Sequence, residues 1–268
     1  MNQKKCTILA VILLATGGVL AAEFDYSPFP DGARVKKVAV KELEPQTHAL
    51  NEKETKGLDV YVFPGKKPVQ LKVFFAADAF SAEITVGGKV TLPKTEFSQF
   101  GTIGWPSVYS ADLNQDGVDD YVLTSNSGGC GLACMYNSMS FILSSPNGHK
   151  LTTTVTMAND CCADLVVLNG VPCFIHTSMG GVEKCNDGKS HNFWIHNLLV
   201  FGKAGDVKVK NDTQPGFPKV IFYTNKPNHK ETTIITKAQK QTLQKDALAA
   251  MFEEAGETKD KNNAPTKK

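Results

Sequence analysis

Asp112-Leu113-Asn114-Gln115-Asp116-Gly117-Val118-Asp119-Asp120 runs without a break into Tyr121-Val122-Leu123-Thr124-Ser125. Oxygen-bearing side chains stand at the first, third, fifth and ninth positions of this loop, and Gly117 stands at the sixth. That spacing lets a short loop wrap a hard cation in oxygen ligands, with the glycine taking the sharp turn. The residues just beyond the loop decide the fold. An EF-hand needs a bidentate acid at the twelfth position and then a helix; here that position is Leu123, and the aromatic and β-branched run from Tyr121 predicts a strand. The acidic loop is therefore read as a connection between β-strands.

Asp112, Asn114, Asp116 and Asp120 each offer a side-chain oxygen, and Val118 offers its carbonyl. Carboxylate and amide oxygens at this density suit Ca2+ better than a transition metal. So many protein ligands leave little room for a substrate, so the ion is expected to brace the strands rather than to catalyse.

On the N-terminal side, Leu58 to Phe63, Val69 to Phe75, Phe80 to Val86 and Lys89 to Leu92 alternate or are rich in strand formers, with Pro64-Gly65 and Gly87-Gly88 as turns. Part of Arg34 to Leu43 also predicts a strand, whereas 44–57 is polar and reads as a loop or short helix. On the C-terminal side, strands are predicted over Ser138 to Ser144, Leu151 to Met157, Phe174 to Ser178, His191 to Phe201, Val207 to Val209 and Lys219 to Thr224. Thr124-Ser125 and Phe141 recur at one common separation as Thr177-Ser178 and Trp194, which suggests two meanders of similar plan. Thr236-Lys237-Ala238-Gln239 is a capping-box pattern opening a helix with an apolar stripe of Leu243, Ala247, Leu248, Met251 and Phe252.

The chain ends bear on location. Lys4 and Lys5, the apolar run Ile8 to Leu14 and the small residues up to Ala22 predict an export signal over 1–22. The run is shorter than the ~20 residues of a membrane span, so no anchor is expected after cleavage. The chain has 29 basic and 27 acidic residues. Loss of Lys4 and Lys5 makes it formally neutral, which argues against a nucleic-acid partner. The remaining divisions are an N-terminal β region over 23–92, a calcium-loop and cysteine-rich β domain over 93–235, the helix over 236–256 and a polar, disordered tail over 257–268.

Cys130, Cys134, Cys161, Cys162, Cys173 and Cys185 are candidates for up to three disulfides in an exported chain, their connectivity open. No paired CxxC spacing supports a zinc cluster with His176, His191 and His196. His191 and His196 point to opposite faces of one strand. Ser125, Ser127 and Ser178 sit beside glycines but outside any G-x-S-x-G elbow.

The pattern Asp-x-Asn-x-Asp-Gly-x-x-Asp before a hydrophobic strand resembles the calcium loops of FG-GAP, or integrin-type, β-propeller repeats and of related VCBS-like repeats in bacterial exported proteins. The resemblance implies Asp112, Asn114, Asp116, Val118 and Asp120 as ligands. It also implies a mainly β fold of antiparallel meanders in a partial propeller-like arrangement, here with one C-terminal α-helix. The function expected is that of an exported, periplasmic or secreted, calcium-binding protein acting as a binding or envelope-associated module, its partner unassigned, with an envelope protein or a glycan as the candidates. The alternative is a secreted hydrolase with its site in the Gly/Cys-rich loops.

Overall fold

The computed structural model describes residues 36–51, 56–76, 79–98, 105–126, 136–157, 164–214, 216–223 and 233–253. The stretch 1–22 expected as an export signal, the segments bearing Cys130, Cys134, Cys161 and Cys162, and the polar tail lie outside these residues.

The fold is mainly β, built from three antiparallel sheets, none of which closes into a barrel among the described residues. The first sheet is a meander of β3 (Thr47–Asn51), β4 (Lys56–Phe63), β5 (Val69–Ala76), β6 (Ala79–Val86) and β7 (Lys89–Ser98). The second runs in the order β11 (Gly148–Met157), β10 (Tyr136–Ser145), β9 (Asp120–Asn126), β8 (Ser107–Ala111) and β2 (Lys41–Glu42). The third runs β1 (Lys36–Lys37), β12 (Leu165–Leu168), β13 (Val171–Val182), β14 (His191–Phe201) and β15 (Val207–Val209), with β16 (Lys219–Phe222) also on β14.

Alternation in β5 explains the first sheet. Leu71 and Val73 face inward and are fully buried; Lys72 faces out and pairs with Glu83 of β6 directly opposite, at 2.9 Å. Each such aliphatic burial stabilises the fold by about 1.5–3 kcal/mol. Leu71, Val73, Phe80, Ala82 and Ile84 pack against Val108, Leu123 and Ile142 of the second sheet. The opposite face of that second sheet carries Val122, Met139 and Phe141, which pack on Leu165, Phe174 and Leu199 of the third. The second sheet is thus covered on both faces. This explains why β10 is buried from Asn137 to Ser144 and reads as a nearly continuous apolar and small-residue run rather than an alternating one.

The single described α-helix, α1 (Lys237–Glu253), begins with the expected capping box. The Gln239 amide donates to Thr236 Oγ1 at 3.2 Å, and the Thr236 amide donates to Gln239 Oε1 at 2.8 Å. Leu243, Ala247 and Met251 are buried, and Leu243 lies over Gly180, where a Cβ would stand 2.7 Å from its Cδ2. The missing side chain lets the helix approach the sheet.

Two expectations change. The polar stretch 44–57 contains β3, an edge strand exposed at every residue and held by backbone pairing with β4. It has no apolar face for a period to reveal, so partner geometry overrides local pattern. The suggested repeat holds for hairpins but not for register. Phe141 stands opposite Val122, two residues before Thr124, while Trp194 stands opposite Met179, two residues after Thr177. Phe141 therefore joins the core between the second and third sheets, and Trp194 packs in a separate cluster with Met157 and Ile221.

Candidate cation loop

The acidic loop joins β8 to β9, as its flanking sequence requires. Its turns are made by Gln115 and Gly117, at φ 57° and 85°. The left-handed conformation costs a residue with a Cβ more than it costs glycine, and the loop's own hydrogen bonds hold Gln115 there.

Those bonds gather side-chain oxygens on consecutive amides. Asp112 Oδ1 accepts from the Asp116 amide at 3.0 Å, and its Oδ2 accepts from Gly117 at 3.1 Å. Asn114 Oδ1 also accepts from the Asp116 amide, at 3.1 Å, and Asp116 Oδ1 accepts from Val118 at 2.9 Å. Asp112, Asn114 and Asp116 are thereby turned into one tight loop. Val118, whose carbonyl completes the expected set, has an exposed side chain.

Asp120 differs. Its carboxylate is fully buried and accepts three backbone hydrogens: from Leu113 at 2.8 Å and Asn114 at 3.1 Å on Oδ2, and from Ser144 at 2.7 Å on Oδ1. Burial pushes its carboxyl above the ordinary range, and the amides draw it back part of the way. The geometry makes Asp120 a staple between the loop and the β10–β11 hairpin.

Ser144 is the residue that sequence reasoning missed. Its hydroxyl donates to Asp116 Oδ2 at 2.6 Å, and its carbonyl accepts from Asn114 Nδ2 at 2.9 Å. The Asn114 amide is thus oriented with its oxygen toward the loop. Burial raises the Asp116 carboxyl, but the bonds from Ser144 and Val118 outweigh it and leave the group below the usual carboxylate range. Nothing local in the sequence marks Ser144, because its partners lie 24 to 30 residues away.

The donor set of Asp112, Asn114 and Asp116 has the hard-oxygen chemistry of a Ca2+ loop. Asp120 accepts three backbone hydrogens on its two oxygens, so its place in the expected ligand set is shared with its role as a staple. Among the described residues, no three His, Cys, Asp or Glu side chains gather into a group that could hold a metal.

Cys173 and Cys185 carry free, buried thiols. Burial pushes Cys173 up to about 11, which leaves it in the unreactive thiol form. The other four cysteines lie outside the described residues. His191 Nε2 pairs with Asp187 at 2.7 Å rather than with a thiol. His196 Nδ1 meets Thr177 Oγ1 at 3.0 Å, but both residues are sealed inside the sheet, out of reach of a substrate. His176 donates from Nε2 to the Val155 carbonyl at 2.8 Å, which fixes the tautomer and leaves a bare Nδ1 in the interior. Ser125 and Ser178 have buried hydroxyls without a partner among the described residues. Ser127 lies outside them.

No model of a known protein family, no curated protein and no solved structure matches this chain.

Two of the buried groups are open to direct test. Asp120→Asn keeps the size of the side chain but loses one acceptor oxygen, stranding either the Ser144 amide or the Leu113–Asn114 pair. The expected cost is on the order of 3 kcal/mol in a denaturant melt, and an unchanged midpoint would refute the staple. The second group is His176, which burial lowers from 6.5 to about 4. Between those values the unfolded chain binds a proton that the folded chain refuses, so stability is full above about pH 6.5 and falls as pH drops toward 4. The loss is on the order of 3 kcal/mol. Thermal melts across this window should slope less for His176→Gln than for the parent protein; equal slopes would acquit the histidine.

Proposed function

We propose that the protein is an exported calcium-binding β module that works at the cell envelope, with the ion bracing the β8–β9 connection. The observation that carries this reading is the turning of Asp112, Asn114 and Asp116 oxygens into one tight loop anchored from outside by Ser144. The export signal read over 1–22 supports the location, and the resemblance to FG-GAP and VCBS-like loops supports the ion. Bound Ca2+ supplies positive charge at the loop. The chain's residues do the rest: Asp112 and Asp116 bring carboxylates, Asn114 an amide oxygen, and Asp120 holds the loop against the second sheet. Calorimetric titration of EDTA-stripped protein with CaCl2 should give binding heat that Asp116→Ala removes. Equal heats from parent and variant would defeat the assignment.

An oxidising destination also bears on the cysteines. We infer that Cys130, Cys134, Cys161 and Cys162 pair among themselves, since Cys173 and Cys185 are free and buried. In the chain lacking residues 1–22, denaturation should release two titratable thiols, silent in the native protein. Six would overturn the pairing.

A further inference from the structure

The antiparallel meander places alternate connections at the same end of the molecule, and contacts between them bring six turns to one end. The Gly87 amide donates to the Pro68 carbonyl at 2.8 Å, joining the β6–β7 turn to the β4–β5 turn. Thr91 Oγ1 meets His149 Nδ1 at 2.9 Å, bringing the β10–β11 turn alongside. Ser144 ties that turn to the acidic loop. Gln115 Nε2 donates to the Gly170 carbonyl at 2.9 Å, adding the β12–β13 turn. At Gly205, a Cβ would lie 3.2 Å from the Ser145 Cβ and 3.4 Å from the Lys150 Cβ, so the β14–β15 turn completes the set.

Two kinds of side chain crowd this end. Lys66, Lys67, Lys89, Lys150 and Lys203 are all exposed there. Six large apolar side chains are exposed among the described residues, and four of them, Val62, Val90, Val118 and Val171, flank these same turns. Val90 and Val118 are each about half exposed, at 52% and 51%. Isolated exposed apolar residues need no explanation, but this grouping with lysines at one end does. Asp206 is engaged by Lys208, and the acidic loop contributes Asp112, Asp116 and Asp119. A divalent cation on the loop would offset two of those three negative charges and leave the lysines dominant.

We propose that this end docks on an anionic lipid surface. Such a surface takes lysine ammonium groups at its headgroups and short aliphatic side chains at its interface, and it meets several neighbouring turns at once. A soluble polyanion would use the lysines and leave the valines without a role. The proposal deepens the envelope reading and rests on it for where the lipid is met, not for the ion.

Sedimentation of the chain lacking residues 1–22 with vesicles tests it. Vesicles of phosphatidylcholine containing about 30% phosphatidylglycerol should carry down at least about tenfold more protein than phosphatidylcholine alone, and the excess should fall with added salt. The triple change Lys66→Glu, Lys67→Glu, Lys89→Glu should abolish the excess. Val90→Asp should weaken it without altering the thermal melt. Equal sedimentation with both vesicle types, or a triple variant that binds like the parent, would overturn the proposal. So would retention on a heparin column without vesicle binding, which would assign the lysines to a soluble polyanion. Vesicle binding that survives EDTA while calcium titration gives no heat removes only the calcium reading; calcium heat without vesicle binding removes only the lipid one.

Discussion

The Asp120 carboxylate accepts backbone hydrogens from Leu113 and Asn114 on one oxygen and from Ser144 on the other, in a site closed to water. In such a place an amide left without an acceptor costs more than its bond would stabilise the fold. The loop and the β10–β11 hairpin must therefore keep one relative position. That position sets the orientation of Asn114 and Asp116 through Ser144, and it brings the β14–β15 turn over the same hairpin. A residue that spacing marks as a cation ligand serves first as the joint on which the end of the molecule is assembled.

The second sheet has a comparable role on a larger scale. Its two faces carry separate cores, with Leu123 and Ile142 directed to the first sheet and Val122 and Phe141 to the third. A one-residue slip of β9 or β10 would exchange those faces. The apolar pattern on both sides resists that slip, and Asp120, the first residue of β9, fixes the register at the loop end.

This organisation separates the two ends of the meander. The end with tight turns carries the acidic loop, the lysines and the exposed valines. Two histidines named as catalytic candidates are committed within the described sheets. Thr177, whose hydroxyl meets the His196 imidazole, is buried within the sheet, and His176 spends its donor on a backbone carbonyl. The Gly- and Cys-rich segment 128–134 of the hydrolase alternative lies outside the described residues.

Much of this was legible in the residues alone. The strand after the acidic loop, the turns at Pro64-Gly65 and Gly87-Gly88, the alternation in β5 and the capping box of α1 are local signals: period, turn chemistry and reciprocal capping. Asp112, Asn114 and Asp116 were likewise visible from spacing, because a loop of this kind folds on itself. Tertiary structure decided what depended on distant partners. It made an edge strand of 47–51 by pairing it with β4, placed Phe141 and Trp194 in different cores, and gave Ser144 its role. It also made Asp120 a joint between the loop and the hairpin. Sequence periodicity reports which face of an element is buried, but not which remote backbone groups will need the acceptor oxygens of a buried carboxylate.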